Sequence, residues 1–198
     1  MRTLSRAAMG LTATALAIGA TLGTTGTLGT TGTTGTARAD GPTDPAIVRS
    51  IQAQPWPDLK TGDRGYRVAA VRCFLTQWRF FNGCAPEAAG GDEFTPAFAE
   101  AVKAYQRARG LDPTGTIDAA TWERIKRDFG VLELNDKRGN QIKGAQHTLK
   151  VLLKRPSLKV DGNYGPDTDK AVRAFQKIKK IGVDGDFGPL TFQAAYAS

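Results

Sequence analysis

Few side chains in this sequence could break a bond. His147 is the only histidine among 198 residues, and a catalytic zinc site draws two or more histidines from its own chain. A Cys–His nucleophilic pair would need Cys73 or Cys84, and these two thiols have a better use. A glycosidase pair needs one carboxyl held protonated and a second ionised. Asp92, Glu93 and Glu100 are the candidates for it, and they stand where a helix begins, a position that favours acidic residues electrostatically. No residue is therefore assigned a catalytic role, and no metal or cofactor is expected. Side chains suited to holding a ligand are more plentiful, namely Asn163, Tyr164, Arg173, Gln176, Lys177, Asp184, Asp186 and Phe187. Amides and a guanidinium fork bind carbonyls and carboxylates.

Those residues cluster around a repetition. VDGNYGPDT begins at Val160 and VDGDFGPLT at Val183. Asp-Gly is a turn dipeptide whose glycine tolerates positive φ, and the aromatic residue after it can plug the space beneath the turn. Gly-Pro then opens a helix, since proline suits the first helical position and favours an extended residue before it. A larger repeat encloses this one. FTPAFAEAVKAYQRARGL from Phe94 aligns with YGPDTDKAVRAFQKIKKI from Tyr164 at an offset of 70, and upstream Arg64-Gly65 aligns with Arg138-Gly139 at 74. The first copy thus carries four extra residues between its first two helices, and Cys84 lies among them.

Each copy reads as three short helices. Apolar residues recur at three and four through Val68, Val71, Leu75 and Trp78, through Phe98, Val102 and Tyr105, and through Trp122, Ile125 and Phe129. The second copy repeats this with Ile142, Ala145, Leu149 and Leu152, with Ala171, Val172, Phe175 and Ile178, and with Phe192, Ala195 and Tyr196. The expected fold is mainly α, two tandem three-helix domains at 57–130 and 135–198.

Residues 1–39 differ from the rest. Arg2 and Arg6 precede an apolar run from Ala7 to Ala20, a Thr/Gly tract follows, and Ala37-Arg38-Ala39 stands before Asp40. That order predicts a secretory signal peptide cut after Ala39, with 40–56 as a linker. The apolar run is shorter than the roughly 20 residues a bilayer core requires, so no membrane span is expected after the leader is removed. For an exported chain, Cys73 and Cys84 are most simply a disulfide.

LKTGDRGYRVAAVRCFL, AVKAYQRARGLDPTG and KVDGNYGPDTDKAVRAFQKIKKIGVDGDFGPLTF resemble the three-helix peptidoglycan-binding domains found beside many cell-wall hydrolases. The resemblance covers about Pro57–Ile125 and Asn135–Ala197. It implies a non-catalytic module that holds a secreted, wall-associated protein on peptidoglycan or another wall polymer. The first copy departs from the family's Leu-Gln in its first helix, having Val71-Arg72 instead. A small wall hydrolase and a protein that docks or inhibits one are the alternative functions. The basic half suits a polyanion, and an exported chain meets wall anions and lipid headgroups before nucleic acid: residues 136–198 carry 12 Lys/Arg against 6 Asp/Glu, whereas 40–135 carry 12 against 13.

Overall fold

The computed structural model describes residues 40–197, so the expected leader lies outside the described residues. Among them are seven helices and no strand. Helix α1 (Pro45–Gln52) precedes the first copy, α2 (Tyr66–Gln77), α3 (Pro96–Ala108) and α4 (Ala119–Phe129). The second copy is α5 (Gly139–Leu152), α6 (Pro166–Lys179) and α7 (Pro189–Tyr196).

The segment expected to be a linker is therefore partly helical. Asp44 caps α1 by accepting from Ala46 N at 2.7 Å, and Pro45 opens the helix. Eight residues are too few to hold a helix in water, so packing decides. Ile51 is buried, and Gln193 Nε2 of α7 donates to the Gln52 carbonyl at 3.3 Å.

The two copies share one core. Helices α2 and α5 cross antiparallel: Gln77 at the end of α2 accepts from Asn140 N at the start of α5, while Tyr66 at the start of α2 lies near Val151 at the end of α5. At the crossing, a Cβ on Gly144 would come 2.6 Å from Phe74 Cε1 and 3.1 Å from the Ala70 carbonyl oxygen. Glycine there admits the facing helix, at the cost of lower helix propensity. Aromatic rings then fill the space between copies. Phe74 meets Phe129 edge-on at 5.1 Å and Tyr196 at 5.8 Å, and Trp122 stacks on Tyr196 at 5.7 Å and on Trp56 at 5.4 Å. Aromatic pairs at these separations add to the apolar burial they already represent. A copy of about 60 residues buries a limited fraction of its own surface, and this joint core supplies the remainder.

Two details refine the helical stripes. Cys73 and Cys84 are bonded, closing the longer loop of the first copy. Ile178, expected in the core, is instead 67% exposed. Helix α6 ends in a left-handed turn at Lys180, and Ile181 folds back into the core beyond it.

Candidate functional site

Each copy has two loops that lead into a helix, and a side chain from the preceding helix clamps each loop. In the second copy Gln176 Oε1 accepts from Gly185 N at 3.0 Å. Its Nε2 faces Asp184 Oδ1 at 2.7 Å, the Asp186 carbonyl at 2.9 Å and Thr191 Oγ1 at 3.2 Å. Gln146 does the same one loop earlier, accepting from Gly162 N at 2.9 Å and donating to Asp161 Oδ1, the Asn163 carbonyl and Thr168 Oγ1 at 2.9–3.0 Å. In the first copy Gln106 accepts from Gly115 N at 2.9 Å and donates to the Thr116 carbonyl and Thr121 Oγ1. All three glycines have φ between 78° and 83°, which is why the turn dipeptide ends in glycine.

The fourth loop is held differently. Arg72 stands at the clamp position, and its Nη1 donates to the carbonyls of Gly90 at 3.1 Å and Glu93 at 2.5 Å. The longer side chain reaches across the wider loop made by the four extra residues. Burial pulls the guanidinium below its ordinary value, opposed by the charges of Glu93 and Asp92.

The eight side chains singled out from sequence separate accordingly. Gln176, Tyr164 and Phe187 are interior: the first is fully occupied by its loop, Tyr164 Oη donates to the Gly185 carbonyl at 2.7 Å, and Phe187 packs on Phe129. Asp184 closes its own turn by accepting from Asp186 N at 2.9 Å. Arg173 pairs with Asp169 at 2.8 Å, an ion pair that raises its pKa, and Lys177 is exposed on the same helix. Asp186 is pushed upward by burial and by the Asp184 charge. Only Asn163, with the backbone around Tyr164, opens onto a sizeable groove.

That groove has a volume of about 570 Å³ and is bounded by elements of both copies. Gln77 comes from α2, Asn140 and Lys143 from α5, Asn135 and Lys137 from the connection before it, and Asn163 from the clamped loop. Asp136 is drawn into a pair with Arg138 at 2.5 Å. Asp161 is held below the usual carboxylate range, chiefly by the Asn163 backbone N–H, and so remains ionised. Asn135, Asn140, Lys137 and Lys143 line the opening together with Asn163, whose side chain hydrogen-bonds Asp161. Sequence reasoning missed five of these six lining side chains, because folding of the second copy brings the start of α5 beside the Asn163 loop and the copy-to-copy crossing adds Gln77. A glycine inside an otherwise helical stretch, Gly144, was the one local signal of close approach.

The approximate twofold relation between α2 and α5 produces a counterpart at the other end of the pair. This cleft, about 700 Å³, is lined by Arg64, Tyr66, Pro86, Glu87, His147 and Val151 among others. Its charges are spent internally: Arg64 pairs with Glu93 at 2.6 Å and Asp92 at 3.5 Å, and Lys150 with Glu87 at 2.6 Å. His147 is half-buried, and burial lowers its pKa. Glu100 is also committed, its carboxyl lowered by the hydrogen bond from Lys103. Among the described residues no group of three or more His, Cys, Asp or Glu is arranged to hold a metal.

With this geometry in view, the comparisons with known proteins are specific. The family model described as "Putative peptidoglycan binding domain" matches residues 64–125 and 138–195, well over half the chain. No curated protein and no solved structure matches it. Each matched stretch takes in the first two helices and both clamped loops of one copy and runs into its third helix, and the chain belongs to the peptidoglycan-binding domain family, with two tandem copies.

Proposed function

We propose that this is an exported, non-catalytic protein that holds to peptidoglycan at the bacterial wall through the polar groove built mainly on its second copy. The observation that carries the reading is that three asparagines and two lysines line one open groove. Peptidoglycan presents acetamido groups, peptide amides, hydroxyls and carboxylates. Asparagine both donates to and accepts from such groups, and lysine adds charge-assisted bonds to carboxylates. An open groove suits a polymer strand that must enter from the side.

A hydrolytic role has weaker support. Asp92, Glu93 and Glu100 are bound up in ion pairs with arginine or lysine, whereas a general acid needs a carboxyl held protonated. Export is supported by the basic, then apolar, then Ala-x-Ala order of the first 39 residues.

The test is co-sedimentation of the chain from Asp40 onward with washed sacculi, at low and at high salt, with soluble muropeptides measured alongside. Retention that survives high salt without muropeptide release is expected. Release of muropeptides would assign a hydrolase instead. Absence of retention would move the function to a protein partner such as a wall hydrolase.

A further inference from the structure

Helix α7 lacks a cap of its own. Its N-cap is Gly188, whereas the matching position in the first copy is Asp118, whose carboxylate accepts from Thr121 N at 2.8 Å. In α7 the missing carboxylate comes from the other end of the described chain. Asp40 Oδ2 accepts from Leu190 N at 2.6 Å, and Oδ1 from Thr191 N at 3.1 Å and Thr191 Oγ1 at 3.2 Å. Gly188 makes room for it, since a Cβ there would lie 2.9 Å from Asp40 Oδ1. The next residues continue the contact. Gly41 N donates to Asp184 Oδ2 at 2.5 Å, Gly182 N donates to Thr43 Oγ1 at 2.8 Å, and a Cβ on Gly182 would strike the Gly41 carbonyl carbon at 2.2 Å. Residues 40–43 are a strap laid backbone to backbone on the last loop.

The charges under this strap are unbalanced. Asp40, Asp184 and Asp186 lie together, with Asp169 and Glu133 within electrostatic reach. Arg173, the cation beside them, is held by Asp169 at 2.8 Å, and Lys126, which lines the cleft next to Asp40, is paired with Glu123 at 2.9 Å and bonded to Gln193. Burial, then the Asp184 charge, push the Asp40 carboxyl upward against its hydrogen bonds to α7. The Asp40 nitrogen sits against Gly188. It is also one residue from the Gly41 nitrogen that binds Asp184, which places it within about 6 Å of that carboxylate.

We infer that the Ala39–Asp40 bond is a processing site whose hydrolysis completes the fold, because the new Asp40 α-ammonium supplies the positive charge that this acidic cluster lacks. A leader peptidase adds water across the bond, Ala39 leaves with the carboxylate, and the Asp40 amine takes up a proton. The cut rests on the export reading given above; the strap does not. Carboxylates raise the pKa of an α-amine above its ordinary value of about 7.7–8.0. The stabilisation is thus fully present below that ordinary value and is lost as pH rises through the raised one.

Two measurements decide it. Chains beginning at Asp40 are compared by thermal unfolding with the amine free and with it acetylated. Acetylation is expected to lower Tm by about 2–5 °C near pH 6.5, with the gap closing above about pH 9 and disappearing in Asp184→Asn. A chain beginning at Gly41 loses the cap as well and should fall further. Equal Tm values with free and acetylated amine at every pH would overturn the inference. The full-length chain, expressed in an exporting bacterial host, is expected to appear outside the membrane with Asp40 as its first residue. Export with a cut elsewhere overturns this inference alone, whereas an uncut chain retained in the cell overturns the export reading with it. Sacculus retention is a separate readout, so failure of wall binding is distinguishable from either result.

Discussion

The two copies have the same three helices but hold themselves together by different means. The first is self-sufficient at its junctions: Thr95 caps α3, Asp118 caps α4, Arg72 spans the widened loop and a disulfide closes it. The second has glycine at the caps of both α6 and α7, relies on Gln146 and Gln176 to shape its loops, and borrows a cap from Asp40. The copy with the stronger family signature, DG-aromatic-GP-x-T, is therefore the more dependent on other parts of the chain. The polar groove is built mainly on that copy. Its counterpart, the cleft at the first copy, has its charged groups engaged with one another, whereas polar residues of the second copy line an open groove.

The largest expected effect breaks what the copies share. Gly144→Val places a branched side chain against Phe74 and the Ala70 carbonyl, and overpacking of this kind costs about 3 kcal/mol. Unfolding should remain a single transition for both copies, because the aromatic core belongs to both. Two separated transitions in calorimetry would show that the copies are independent.

Substitutions at the clamps sharpen the comparison. Gln176→Ala leaves Gly185 N without its partner in a buried place, and an unmet buried donor costs about 1–3 kcal/mol. Replacing both cysteines by alanine frees an 11-residue separation, worth about 2–3 kcal/mol in the chain-entropy model. Hydrogen exchange should then increase around residues 85–93 and leave the Gln146 loop unchanged. Faster exchange in both loops would mean that the disulfide supports the whole fold rather than one copy.

A smaller effect depends on pH. Burial pushes the Asp128 carboxyl up, but hydrogen bonds from Arg109 and Tyr105 and the charges of Arg109 and Arg124 hold it below the usual range. The second copy has Lys179 and Ser198 at the positions matching Arg109 and Asp128. A depressed carboxyl stabilises the fold above its unfolded pKa of about 3.9 and loses that contribution as pH falls through the folded value. Asp128→Asn should therefore lower Tm at pH 7 and make no difference near pH 2. An equal deficit at both pH values would assign Asp128 a role in packing rather than charge.

Much of this architecture was legible in the sequence. The helices announced themselves through apolar spacing, and the junctions through Asp-Gly, Gly-Pro and threonine at fixed intervals. The chemistry around them was less so. Gln176 looked like a ligand donor because a glutamine near a loop has the same local pattern whether it faces a ligand or clamps its own turn. Lys137, Asn140 and Lys143 carried no local mark at all, since their value depends on the fold of the second copy, which sets the start of α5 beside the Asn163 loop. Helix α1 was missed for a related reason, because eight residues form a helix only where α7 offers a surface.

The wall binding proposed above is placed in the groove at Lys137 and Lys143 and not in its counterpart. Sacculus retention should be measured for Lys137→Glu/Lys143→Glu and for Glu87→Lys/Val151→Glu, all four positions being on the surface. A loss of about tenfold or more in affinity, some 1.4 kcal/mol, is expected for the first pair and unchanged retention for the second, with both proteins as stable as the parent. Loss confined to the second pair, or unchanged retention in both, would contradict it.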